Sequence, residues 1–246
     1  MRTVLQAEWY KLRKSRVILI LFAGPLISLL IGLLIGPTES HITNSHINQW
    51  FQPLFWMNFS YGLLFLPLIT GVLASMICRY EHQANGWKQL LTLPVTRGSI
   101  FMAKFGLLLI VVWAIQSLFL LSVWIVGTLK GYTDPFPKEM IGKTLLGGWL
   151  ATLPLLALQL WLSMVWKSFA IPFAVNVFFT LPSILAANSE RFGPYYPWAQ
   201  PFLMMVVGVE EKSTFYVPWD HLLLVVGGSF LLFFSMGYWY FQRKEV

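Results

Sequence analysis

Six long apolar stretches, none of which contains Asp, Glu, Lys, Arg or His, constrain the fold of this chain more than any other feature. Each has about the twenty residues that an α-helix needs to cross a hydrocarbon layer of about 30 Å. Only 11% of the residues are charged, against about 25% in an ordinary soluble domain. The pattern predicts an all-α, polytopic membrane protein, a single domain over residues 1–246, with six transmembrane helices at residues 17–35, 56–78, 105–127, 144–166, 169–187 and 222–241.

The distribution of Lys and Arg outside these stretches predicts the orientation of the chain. Six crossings put both termini on one side, and that side would carry twelve of the seventeen Lys and Arg residues. The positive-inside rule therefore places both termini, and the polar segment 79–104, in the cytoplasm. Segment 197–207 is apolar but too short to cross, so we expect short re-entrant or interfacial helices on the outer side before the last span.

The first sixteen residues are basic and show a helical repeat. Leu5, Trp9 and Leu12 are spaced i, i+4 and i+7, while Glu8 and Lys11 lie between them. A basic amphipathic helix of this kind lies in the headgroup plane. A charged flank that only orients the first span is the alternative. A signal peptide is disfavoured, because the following apolar stretch exceeds the usual 7–15 residues and no A-x-A site follows it.

Polar residues inside the stretches are few. Asn176, Gln159 and Gln116 are expected to hydrogen-bond between helices, as polar side chains do in membranes. Prolines such as Pro67 and Pro182 also lie inside the stretches. Membranes tolerate them when neighbouring helices satisfy the backbone groups that a proline frees.

Several chemistries are missing from the sequence. Ion-coupled transporters and voltage sensors usually need an ionisable residue at membrane depth, and the six stretches contain none. No G-x-x-x-x-G-K-[ST], H-E-x-x-H or G-x-S-x-G motif occurs, which argues against a P-loop ATPase, a zinc protease and a serine hydrolase. Cys78 is the single cysteine, so no internal disulfide can form. We predict a non-enzymatic chain without a cofactor or metal, driven by a soluble partner.

Segment 79–104 is the longest polar connection on the predicted cytoplasmic side. Trp87, Leu90 and Leu91 recur at i, i+3 and i+4, which is typical of a short amphipathic helix. Gly86 disfavours an earlier start, and Pro94 disfavours helix at the residue before it. On periodicity alone, a surface for a soluble partner and a plain connector on the headgroups are both open.

This segment and the N-terminus resemble ABC-2 type permeases. Residues Glu8 to Leu12 are similar to the E-x-x-K-[LI] entry helix of that family, and segment 79–104 to its E…G…LL…P[VI][ST]R…I…K pattern. The resemblance implies that the segment is a coupling helix seated on a separate ATPase. The contact residues that it implies are Glu81, Gly86, Trp87, Leu90, Leu91, Pro94 and Arg97.

The resemblance also implies partners and a function. The partners would be a cytoplasmic ATPase dimer, which holds ATP and Mg, a second permease chain, identical or paralogous, and the lipid bilayer, with no nucleic acid. The chain looks most like the immunity permeases for lantibiotics and bacitracin. The prediction is ATP-driven export of a peptide antibiotic or another amphipathic compound, for self-protection, across a bacterial cytoplasmic membrane. The alternative is a non-transporting sensor or immunity protein that sequesters a peptide at the outer surface.

Overall fold

The computed structural model describes residues 2–15, 19–36, 48–83, 86–92, 94–206 and 217–244. These residues form helices and connections and contain no strand, in agreement with the predicted all-α class. The helices are α1 Arg2–Lys14, α2 Ile20–Leu34, α3 Phe51–Ser60, α4 Leu66–His82, α5 Gly86–Thr92, α6 Arg97–Lys130, α7 Lys138–Val165, α8 Ala170–Thr180, α9 Ser183–Ala187, α10 Gln200–Met205 and α11 Trp219–Arg243. A π-helical turn, Tyr61–Phe65, joins α3 to α4, and a 3₁₀ turn, Gly193–Tyr195, precedes α10.

Four helices in the described residues are long and apolar enough to cross a membrane. They are Phe51–His82 (α3, the π turn and α4), α6, α7 and α11. Helices α2 and α8 are apolar but shorter. The predicted first span begins at residues 17 and 18, which lie outside the described residues, so the structure leaves its full length a prediction.

The single helix predicted over residues 169–187 is instead two helices. Helix α8 ends at Thr180 and α9 begins at Ser183. Pro182 explains the break, because a proline has no N–H for the helical ladder and disfavours the α conformation of the residue before it. The sequence analysis predicted that a continuous helix would tolerate this proline, but in the structure the proline lies at the boundary between two helices.

The long helices extend past the predicted spans. Residues 79–82 continue α4, and residues 97–104 are the first two turns of α6. The Thr96 side chain accepts a hydrogen bond from the Ser99 N–H and caps α6, which satisfies one of the free donors of its first turn. Only residues 83–96 therefore connect the two long helices, and the two ends of segment 79–104 belong to α4 and α6.

Helix α7 lies in the middle of the bundle, in contact with α4, α6, α10 and α11, while α2 packs along α3 and α6. At one end, the α2–α3 and α6–α7 connections meet, where the Gln49 N–H donates to the Asp134 carboxylate at 2.8 Å. Gly131, at φ 65°, ends α6 there in the left-handed conformation that favours glycine. At the other end, α1 packs on α6, α5 packs on α4, and the last turn of α11 lies against Trp87 of α5.

The π turn and Pro67 free backbone carbonyls inside the bundle, and later helices satisfy them. Pro67 cannot donate to the Leu63 carbonyl as an ordinary i+4 residue would. The Ser183 hydroxyl lies 3.2 Å from that carbonyl and shares its single proton with the Thr180 carbonyl, which is nearer at 2.6 Å. The Asn176 amide donates to the Pro67 carbonyl at 2.9 Å and accepts from Gln159 at 2.9 Å. The predicted interhelical bonds of Asn176 and Gln159 are thus confirmed. The prediction for Gln116 is wrong, because its buried side-chain amide has no hydrogen-bond partner among the described residues.

Helix α10 is buried along its whole length. Its last carbonyl, of Met205, accepts hydrogen bonds from the Asn58 amide of α3 and the Thr144 hydroxyl of α7, both at 3.0 Å. Segment 197–207 was predicted to form such a short helix. Its residue 207 lies outside the described part, and the location of α10 on the outer side of a membrane stays a prediction.

Candidate functional site

Four charged side chains from three helices meet at the end of the bundle where α1 packs on α6. Lys104 Nζ lies 2.8 Å from Glu8 Oε2 and 3.1 Å from Glu81 Oε1. Lys11 Nζ lies 2.9 Å from Glu8 Oε1 and 2.7 Å from Glu81 Oε1. We call these four residues the ion cluster. Lys104 is fully buried and the two carboxylates nearly so, whereas Lys11 is about one third exposed.

The ion cluster forms because the three helices bring their charged side chains to the same level along the bundle. Glu8 and Lys11 are one turn apart on α1, Glu81 lies in the last turn of α4, and Lys104 lies two turns into α6. The Lys104 ammonium also donates to the Ile77 carbonyl of α4 at 3.1 Å. Two positive and two negative charges balance, so their burial leaves no net charge. The cluster therefore ties α1 to both α4 and α6.

Trp87 anchors the short helix α5 beside the ion cluster. Its side chain is 5% exposed. Its indole N–H donates to His82 Nδ1 at 3.1 Å, and His82 Nε2 bonds the Ser163 carbonyl at 2.7 Å. Since a carbonyl only accepts, Nε2 carries the proton, and the pair of bonds requires a neutral imidazole. The Phe241 ring of α11 packs against the indole, with the ring centroids 5.4 Å apart.

Residues 242–244 lie against Trp87 and Arg97. Arg97 Nη1 donates to the carbonyls of Gln242 and Lys244, both at 2.8 Å. The Lys244 ammonium lies 4.7 Å from the centre of the Trp87 ring, a cation–π contact, and donates to the Met164 carbonyl at 2.5 Å. Burial lowers the pKa of Lys244 below that of a free lysine. We call residues 242–244 the tail.

Helix α5 presents its polar face to the outside. Lys88, Gln89 and Thr92 are exposed, whereas Gly86 and Leu90 are half-buried. The helix runs from Gly86 to Thr92. The sequence left its start open, and its predicted end before Pro94 agrees with the structure. Trp87 and Leu90, two of the three residues of the predicted apolar stripe, therefore face the bundle.

The predicted contact residues occupy different positions at this end. Glu81 and Trp87 lie inside the chain, Arg97 is half-buried against the tail, and Pro94 is exposed. The side chain of Leu91 lies outside the described part. The structure thus brings Glu81, Trp87 and Arg97 together around α5, and the contact of the set with an ATPase stays a prediction.

Helix α1 is present, and the face that it turns toward the bundle includes a charged residue. The buried side chains are Val4, Glu8 and Leu12. Leu5 and Lys11 are half-buried, and Trp9, predicted on the apolar stripe, is 45% exposed. Glu8 faces inward because its carboxylate pairs with Lys104. Its location in the headgroup plane stays a prediction.

Sequence analysis missed the inward roles of Lys104, His82 and the tail. One observation could have indicated the ion cluster: Glu8 is the only acidic residue in segment 1–16, and Glu81 is the only one in segment 79–104. A single acidic residue in a basic segment is well placed to pair with a lysine of another basic segment when both segments lie at the same end of a bundle. The contacts of Trp87 with Phe241 and Lys244 span more than 150 residues, and no local pattern predicts them.

Two comparisons identify the relatives of this chain. The sequence profile described as "ABC-2 family transporter protein" matches residues 4–183, well over half of the chain. A bacitracin transport permease of Bacillus licheniformis is 24% identical over 193 residues, which cover 75% of this chain and 86% of that relative. The structure is consistent with both matches, because its described residues form an all-α bundle whose longest helices are apolar. The chain therefore belongs to the ABC-2 family of transporter proteins and is a multi-pass permease subunit of a bacterial cell membrane.

Proposed function

We propose that the chain is the permease subunit of an ATP-driven exporter and that it receives its energy through α5. The observation that carries the proposal is the way α5 is held. Trp87 fixes its inner side within the bundle while Lys88, Gln89 and Thr92 remain exposed for a partner. A cytoplasmic ATPase that binds this exposed face would act on a helix that cannot slide freely over the bundle.

Force on α5 has a short path to four long helices. Trp87 touches α4 through His82 and α11 through Phe241. His82 bonds the end of α7, and the ion cluster joins α4 to α6 and α1. In this proposal Glu81 and Trp87 position the coupling helix, and the exposed residues contact the ATPase.

The proposed topology has six crossings with both termini in the cytoplasm. Helices α8 and α9 together would make the fifth crossing, broken at Pro182, and α2 with the residues before it would make the first. The twelve Lys and Arg residues assigned to the cytoplasmic side support this orientation. A second permease chain, identical or paralogous, would complete the transport pathway.

The proposed cargo is a peptide antibiotic or a similar amphipathic compound. The support is the relative of Bacillus licheniformis, whose name assigns it bacitracin transport. Export of such a compound would protect the cell that makes it or meets it. A chain that only sequesters the peptide would act without an ATPase, which the experiment below distinguishes.

The test uses the full chain co-expressed with its ATPase. Two variants, Lys88→Glu and Thr92→Trp, alter the exposed face of α5, and Lys138→Glu changes an equally exposed lysine at the opposite end of the bundle. We expect both α5 variants to lose co-purification with the ATPase and protection against the peptide, while their melting temperatures stay unchanged. Lys138→Glu should behave as wild type.

Full association of both α5 variants would refute the assignment of α5. Protection in a strain that lacks the ATPase would support sequestration instead of export. Trp87 is unsuitable for this test, because its replacement would also damage the core of the chain.

A further inference from the structure

A groove open to the outside runs between α1 and α6, on the side of α1 that faces away from the ion cluster. Its walls are Leu5, Gln6 and Trp9 of α1, and Leu107 and Ile110 of α6, and its volume is about 290 Å³. Nearly all of the lining surface is apolar. No side chain of the described residues fills it, although Trp9 and Ile110 remain 45% and 52% exposed.

A positive charge lies directly beside the groove. Arg13 follows Trp9 by four residues on α1, so it lies on the same helix face, about 6 Å further along the axis. Its side chain is exposed. Lys14 is equally exposed but points elsewhere, with its ammonium 4.6 Å from the centre of the Tyr10 ring. One end of the groove is therefore cationic, and the rest is apolar.

The apolar wall continues along α6. Ile110, Ser117 and Leu121 share one helix face and are all exposed. The Ser117 hydroxyl donates to the Trp113 carbonyl of its own helix at 3.0 Å, so it interrupts the apolar face only slightly. Eleven residues separate Ile110 from Leu121, a rise of about 16 Å. One leaflet of the hydrocarbon core is about 15 Å thick. The groove and this strip together thus offer a largely apolar track about as long as a lipid chain, with an exposed cation near one end of the groove.

We propose that this groove is a binding site for an anionic phospholipid. Arg13 binds the phosphate, and an acyl chain lies between Leu5, Trp9 and Ile110 and then along α6. The charge and the length of the track favour this occupant over a peptide, because a peptide would need hydrogen-bond partners that an apolar groove does not offer. Since α1 also carries Glu8, a lipid here would stabilise the helix that the ion cluster holds.

The experiment measures lipid binding to the purified full chain in a neutral detergent by native mass spectrometry. The probes are phosphatidylglycerol, phosphatidylcholine with the same acyl chains, and glycerophosphoglycerol, the same headgroup without chains. We expect retention of phosphatidylglycerol in preference to phosphatidylcholine and no binding of the chain-free headgroup. Arg13→Gln should weaken phosphatidylglycerol binding about fivefold, since a cation near a membrane surface contributes about that factor.

Lys14→Gln is the matched control, because it removes the same charge one residue away on a different face. It should leave phosphatidylglycerol binding within twofold of wild type. Equal losses in both variants would mean diffuse attraction to a basic helix and would overturn the proposal. Binding of glycerophosphoglycerol as tight as that of the lipid would overturn it as well, because the site would then be a phosphate site without an acyl track.

Discussion

Replacing Lys104 by methionine removes the buried cation of the ion cluster without changing the length of the side chain much. Lys104 is fully buried and lies within 3.1 Å of both carboxylates. After the change, only the partly exposed Lys11 remains to balance Glu8 and Glu81. Breaking a buried ion pair by removing one partner typically costs about 3–5 kcal/mol. We expect the free energy of unfolding of Lys104→Met to fall by about that amount.

The assay is thermal unfolding of the purified chain in detergent, followed by intrinsic tryptophan fluorescence at one scan rate. For a chain of this size the loss corresponds to a fall in apparent melting temperature of about 6–20 °C. Lys143→Met is the matched control. Its ammonium lies 2.8 Å from Glu139, but both side chains are well exposed, so the loss should be below about 1 kcal/mol.

A second substitution tests whether the loss arises from unbalanced charge. Lys104→Met combined with Glu8→Gln leaves one positive and one negative charge, the Lys11–Glu81 pair at 2.7 Å. We expect this double variant to recover much of the lost stability, because the buried excess negative charge is gone. Two results would show that the ion cluster does not stabilise the bundle. The first is a melting temperature of Lys104→Met equal to that of Lys143→Met. The second is a melting temperature of the double variant that lies below that of Lys104→Met by as much as an independent destabilising substitution would lower it.

Two further substitutions test a close helix contact and a helix cap. Gly71→Ala should lower the free energy of unfolding by about 1–3 kcal/mol, because a Cβ there would lie 2.1 Å from the Asn176 amide nitrogen. Its control is Gly106→Ala, which has open space around it and should raise the free energy of unfolding by about 0.5–1 kcal/mol. Thr96→Ala should lower the free energy of unfolding by about 1 kcal/mol, because the cap of α6 is lost, and Thr92→Ala is its control. Thermal unfolding of all four variants checks these values.

Local sequence patterns predicted the elements of this chain better than their contacts. Hydropathy located the long helices, since burial in lipid needs only a run of apolar residues. Pro94 predicted that α5 ends before it, because a proline limits the backbone directly, whereas Gly86 left the start of the helix open. Hydropathy did not predict the break at Pro182, because a proline inside an apolar run is compatible with a kinked helix and with a helix boundary.

The candidate site could be predicted only in part for a different reason. The motif placed Glu81, Trp87 and Arg97 correctly in one segment, but it did not indicate that they face inward. Glu8 and Lys104 are 96 residues apart, and Arg97 is 147 residues from the carbonyl of Lys244. Such pairs depend on how the helices pack, which a local repeat does not encode.

The hydrogen bond between Ser183 and the Leu63 carbonyl has a consequence for how the chain is made. The two residues are 120 positions apart, and a ribosome adds about 5–20 residues per second. About 6–24 s therefore pass between the synthesis of the acceptor and that of its donor. During this interval Phe51–His82 lacks a contact that it has in the folded chain. The first of the four long helices therefore reaches its final set of contacts only after α9 has been synthesised.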